Sequence, residues 1–181
     1  MFVCKHPLLS RKDIMFKIDA TNLRWLEGMN PENDLCLHGN VVVIIGDERL
    51  EENSATVSAA ALYLLRTLTK DHSRDRENPL IPCCGFSMYA DEYMANVDII
   101  GCPNGIVWSV VHVSDGVKIT TENSTEITIE IGDYRNIVYS FADKIEDYYL
   151  QSSPKVLPND EYDRDGYIAF WNEWHRRRGM R

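Results

Sequence analysis

Residues 97–131 read VDIIGCPNGIVWSVVHVSDGVKITTENSTEITIEI, and turn residues divide this run into strands. Val97 to Ile100 is strand-like, Pro103-Asn104-Gly105 supplies a turn, and Ile106 to Val113 returns. Ser114-Asp115-Gly116 turns into Val117 to Thr121, Glu122-Asn123-Ser124 turns again, and Ile127, Ile129 and Ile131 alternate with Thr128 and Glu130. Period-2 alternation broken at short intervals by Gly, Asn, Asp and Pro is the pattern of an antiparallel meander.

Upstream, Ile14, Phe16 and Ile18 alternate with Met15, Lys17 and Asp19 as in a half-buried strand, and Leu23 to Leu26 is a weaker second segment. Val41 to Ile45 is β-branched throughout and reads as a central strand covered on both sides, ending at Gly46-Asp47. Asn53 or Ser54 is then placed to cap a helix in which Val57, Ala61, Leu64 and Leu68 recur at helical spacing, its small residues Ser58 to Ala61 allowing close approach to a sheet. Lys70 to Pro79 is charged and aperiodic, a mobile loop.

Downstream, Asp133 is placed to cap a helix with the stripe Tyr134, Val138, Phe141, Ile145 and Tyr148, ended by Pro154 and Pro158. A last helix, within 159–178, carries Tyr167, Phe170, Trp171 and Trp174 and finishes in Arg176 to Arg178, where positive charge suits the helix dipole. Strands in runs with helices outside them predict an α+β fold: one domain over 1–181, mainly an antiparallel meander sheet with about three helices packed on one face.

At 181 residues and 44% hydrophobic, the chain can fill one sizeable core. Its 19 Lys and Arg against 28 Asp and Glu leave a net charge of -9, which argues against nucleic-acid backbones and anionic membranes as partners. The acidity is concentrated before Lys155, where the charge is -10, and such a surface attracts a basic protein. Met1 to Phe16 lacks a continuous apolar segment, so no signal peptide is expected, and Val41 to Ile45 is far too short to span a bilayer. The chain therefore reads as cytoplasmic, with five reduced cysteines.

Four separated segments bear the reactive side chains: Cys36-Leu37-His38-Gly39, Pro82-Cys83-Cys84-Gly85, Cys102-Pro103-Asn104-Gly105 and His112. Cys36 and His38, two apart on extended chain, point to one side and are suited to share a metal. Cys102 at a Cys-Pro turn, with Cys83 or Cys84, would complete a tetrahedral set for a structural zinc. None of these segments is a Cys-x-x-Cys pair, and buried thiols packing as small hydrophobes are the simpler account of them. The same residues suggest a hydrolase, with Cys83, Cys84 or Cys102 as thiolate, His38 or His112 as base and Asp34 orienting the base, but no known nucleophile signature surrounds them.

Glu161-Tyr-Asp163-Arg-Asp165-Gly166 has calcium-loop spacing, yet position 12 is Asn172 where the bidentate glutamate belongs. An acidic first turn of the last helix, capped by Asp163 or Asp165, explains it better. The aromatic residues of that helix are a core stripe that leaves one edge exposed, and its arginines are placed to dock on acidic side chains. Gly101 to Gly105 lacks phosphate-loop spacing.

No catalytic set is complete. The expectation is a non-enzymatic acidic binding protein for a basic protein partner, as a cytosolic immunity or antitoxin protein would be, with a zinc- or cysteine-dependent hydrolase using Cys36, His38, Cys83 and Cys102 as the alternative.

Overall fold

The computed structural model describes residues 16–74, 78–85, 87–101 and 103–179. The expectations for Met1 to Met15, for the centre of the 70–79 loop and for Cys102 lie outside those residues. In chain order the elements are β1 (Phe16–Arg24), β2 (His38–Ile45), β3 (Glu48–Thr56), α1 (Val57–Arg66), β4 (Ile81–Pro82), β5 (Ser87–Ala90), β6 (Val97–Ile100), β7 (Gly105–Ile106), β8 (Trp108–Val113), β9 (Gly116–Thr121), β10 (Glu126–Glu130), α2 (Ile131–Gln151) and α3 (Glu161–Arg178). The fold is α+β and every strand pairing is antiparallel. No described helix is long and apolar enough to cross a membrane.

The strands form two three-stranded meanders, β1-β2-β3 and β10-β9-β8, with two short ribbons, β4-β7 and β5-β6. The second meander follows the turns at Ser114 and Glu122, with Val110 opposite Ile119 and Ile127 opposite Ile119. Val97 to Ile100 does not pair with the returning segment as expected; it pairs with β5. Close backbone approaches explain the diversion. A Cβ on Gly101 would lie 2.2 Å from the Cys84 carbonyl oxygen, and one on Gly105, at φ +148°, 2.1 Å from that of Ile81. Both glycines thus let the chain press against residues 81–85 instead of closing a hairpin.

β2 is central, as its composition predicts, but only one face is sealed. Val41, Val43 and Ile45 are fully buried, whereas Val42 and Ile44 on the opposite face are half-buried. β3 runs through Asn53 and Ser54, the expected helix caps. Its Glu48-Arg49-Leu50-Glu51-Glu52 segment has little apolar character, yet its backbone pairs with β2, and its charges suit an exposed sheet edge. Thr56, not Asn53 or Ser54, therefore occupies the N-cap position of α1.

α1 is buried nearly all round and lies between α2, α3 and the first meander. α2 begins at Ile131 after Glu130, so Asp133 sits in its first turn and is not its cap. Its buried stripe is Tyr134, Val138, Phe141, Ala142, Ile145 and Tyr149, with Tyr149 taking the place expected for Tyr148. Residues of the 70–79 segment that are described are tied down: His72 exchanges backbone hydrogen bonds with Val110 at 2.8 and 2.9 Å.

The Glu161 to Gly166 stretch opens α3. Asp160 caps it, accepting the Asp163 N–H at 3.1 Å, so neither Asp163 nor Asp165 is the cap. Gly166 lets α3 lie directly on β5, because a Cβ there would fall 1.9 Å from the Met88 carbonyl oxygen. A buried ion network locks the same helix to α1. Glu173 accepts from Arg66 Nε at 2.9 Å and Nη2 at 2.7 Å, from Arg177 Nε at 2.7 Å and from the Val97 N–H at 3.1 Å. Burial works to raise the Glu173 pKa, but the Arg66 hydrogen bonds and charge outweigh it and bring it down to about 2.

Candidate functional site

Asp34-Leu35-Cys36-Leu37-His38 enters β2 as extended chain, and its alternation sorts the side chains. Leu37 is fully buried, while Asp34, Cys36 and His38 line a cleft of about 340 Å3. Leu26, Met29, Leu35, Met88 and Pro158 supply its apolar wall, with Gly85 at one side and Asp163 of α3 at another.

Tyr149 of α2 holds the segment in place. Its buried hydroxyl accepts the Leu37 N–H at 3.1 Å and donates to the Leu35 carbonyl at 2.8 Å, and Ser58 Oγ accepts from the same Leu37 N–H at 3.1 Å. Burial raises the Tyr149 pKa well above its ordinary value, so the hydroxyl keeps the proton it donates. Asp34 closes the preceding loop: Oδ2 accepts the Leu26 N–H at 2.8 Å and Oδ1 the Cys36 N–H at 3.1 Å. His38 Nε2 lies 4.0 Å from Asp34 Oδ2, beyond a hydrogen bond.

Burial disfavours the charged forms of the reactive side chains of this cleft. Burial, reinforced by the Asp34 charge, pushes the Cys36 thiol up to about 12, and Sγ donates to the Gly85 carbonyl at 3.5 Å. Burial also lowers the His38 pKa, with Asp34 opposing. Nearby, Lys155 donates to the Pro31 carbonyl at 2.6 Å and places Nζ 2.9 Å from the centre of the Trp25 ring. Burial lowers its pKa to about 8 against the opposite pull of Asp34 and Cys36.

Cys36 and His38 share the cleft, and the Pro82 to Gly85 segment reaches it through Gly85. Cys83 and Cys84 are not among the residues that line it; their sulfurs lie 3.6 Å from each other. Among the described residues no group of three or more His, Cys, Asp or Glu side chains is arranged to hold a metal ion. His112 is on β8, away from the cleft lining, with Nδ1 2.7 Å from Asp71 Oδ1.

The aromatic residues of α3 form core as expected: Phe170 and Trp174 are fully buried and Tyr167 nearly so, while Trp171 is half-buried. The terminal arginines dock on the body. Arg178 forms a bidentate pair with Asp143 at 2.5 and 2.8 Å, and Arg176 binds Asn96 Oδ1 at 2.6 Å. Tyr149, Lys155 and Trp25 were not foreseen as parts of the cleft's support. Their only sequence signal is an aromatic or a lysine in an otherwise ordinary position, since long-range packing brings them together.

Chemically, the cleft offers apolar surface edged by carboxylates. Its thiol is held protonated, and its imidazole lies beyond hydrogen-bonding distance of Asp34. Comparison with known proteins finds no matching family model, no matching curated protein and no matching solved structure.

Proposed function

We propose that the chain is a binding protein for a basic protein partner, and that the cleft beside Asp34, Cys36 and His38 is its docking site. The observation that carries this reading is the cleft's rim. Leu26 and Met29 are each 47% exposed, two large apolar side chains lining an apolar-walled hollow on a chain of net charge -9. Apolar anchors supply affinity and the acidic surroundings steer a basic partner into register. A cytoplasmic protein that neutralises a basic toxin domain, as immunity proteins do, is the kind of binder this chemistry suits.

The hydrolase alternative draws less support from the geometry, since Cys83 and Cys84 are not among the residues that line the cleft with His38 and Asp34, and the cysteine that does line it, Cys36, donates to the Gly85 carbonyl. The test is affinity capture from the source cell at low and high salt. A discrete partner retained at low salt and released at high salt is expected; failure to retain any partner at low salt contradicts the proposal.

A further inference from the structure

Where α1 and α3 finish and α2 begins, a hollow of about 450 Å3 is lined by three arginines, Arg135, Arg176 and Arg177, with Leu65, Leu68 and Tyr139 as its apolar part. No Asp or Glu lines it. The chain carries 28 acids against 19 Lys and Arg, so three cations round one hollow with no acid among them reverse its charge locally.

The neighbouring contacts leave that charge largely uncompensated. Arg135, exposed near the start of α2, has no carboxylate partner among the described residues. Arg176 is also exposed and bonds to neutral acceptors, the Ala95 carbonyl at 2.5 Å and Asn96 Oδ1 at 2.6 Å. Arg177 pairs with Glu173 through Nε at 2.7 Å, but the same carboxylate also holds Arg66, so two cations share one buried acid. Like charges gathered this way repel one another, and a bound anion removes that repulsion.

Donors remain to receive it. Among the described residues Arg135 has no hydrogen-bond partner, Arg176 Nε has none, and Arg177 Nη2 has none, its other nitrogens reaching Glu173 and Thr69 Oγ1.

We propose that this hollow binds a phosphate group, free or carried on a small monoester. Guanidinium forks match a tetrahedral oxyanion, whose several oxygens let more than one arginine grip it, and the organic part of an ester packs on Leu65, Leu68 and Tyr139. A single phosphate suits the rest of the molecule. The net charge of -9 opposes a long phosphate backbone, whereas a compact dianion meets only the local excess of arginine.

Calorimetric titration of the full chain with phenyl phosphate, and separately with inorganic phosphate, at fixed ionic strength tests the site. Saturable binding is expected, at least about tenfold weaker in Arg135→Gln and in Arg176→Gln. Both variants change exposed side chains, and Arg135→Gln, which breaks no hydrogen bond among the described residues, serves if the other does not fold. Arg49→Gln removes an exposed arginine outside the hollow and should bind as the wild type does. Tighter binding of phenyl phosphate assigns the hollow to a monoester, and equal binding of the two probes assigns it to the free anion. Saturation by neither probe, undiminished binding in the folded Arg135 and Arg176 variants, or an equal loss in Arg49→Gln overturns the proposal. None of these residues lines the cleft beside Cys36, so failure here is distinct from failure of the docking proposal.

Discussion

Cys36 Sγ lies 3.5 Å from the Gly85 carbonyl oxygen and donates to it, which ties the chain entering β2 to the segment between β4 and β5. The contact closes one side of the cleft and keeps the sulfur protonated. With the pKa pushed from 9.0 up to about 12, almost no thiolate exists at neutral pH. Cys36 is therefore expected to react with iodoacetamide at pH 7.5 at least about tenfold more slowly than an exposed cysteine. Residue-resolved mass spectrometry reads this directly, and rapid labelling of Cys36 in the folded protein contradicts it. Because the folded pKa is raised, the thiol's contribution to stability is intact below pH 9 and lost as pH climbs toward 12.

Tyr149→Phe removes the hydroxyl that accepts from Leu37 and donates to Leu35. The Leu35 carbonyl loses its donor, while the Leu37 N–H keeps Ser58, so a loss of about 1–3 kcal/mol is expected. The variant should also label faster at Cys36, since the strap that positions it is gone. Unchanged denaturation and unchanged labelling would show that the hydroxyl has no such role.

Glu173 predicts the acid limb of the stability curve. Its folded pKa of about 2 lies below the ordinary 4.5, so its stabilisation is fully present above pH 4.5 and disappears as pH falls toward 2. Glu173→Gln leaves Arg66 and Arg177 without their shared carboxylate and should cost about 3 kcal/mol at pH 7, lowering Tm by roughly 10 °C. The wild-type advantage over this variant should shrink below pH 4.5. A pH-independent difference would mean the carboxylate acts only by its shape.

Gly166→Ala tests the seating of α3. The added methyl would enter the Met88 carbonyl, a backbone atom that cannot rotate away, so a loss of about 3 kcal/mol is expected by chemical denaturation. Wild-type stability in this variant would contradict the close packing of α3 on β5.

The meander from β8 to β10 and the long helices were legible in the sequence because alternation, helical spacing and turn residues agreed with one another. β3 was not, because Glu48 to Glu52 are stabilised by pairing to β2 and carry no apolar pattern of their own. The pairing of β6 with β5 was hidden for a related reason: Gly101 and Gly105 mark close backbone contacts, and a sequence does not say with which segment. At the site, the two-residue spacing of Cys36 and His38 correctly suggested a shared face. Tyr149, 112 positions beyond Leu37, could not be linked to it without the fold. The neutral state of Cys36 was equally illegible, since burial alone determines most of it.

A basic partner docked on the cleft rim depends on the apolar side chains of Leu26 and Met29. The most direct measurement is capture at low salt by the wild-type chain beside the folded double variant Leu26→Asp, Met29→Asp. Both side chains are 47% exposed, so the fold should survive, and the added carboxylates preserve attraction for a basic protein while destroying the apolar anchor. The account predicts a discrete partner on the wild type and at least about tenfold less on the variant. Equal retention by both proteins would contradict it.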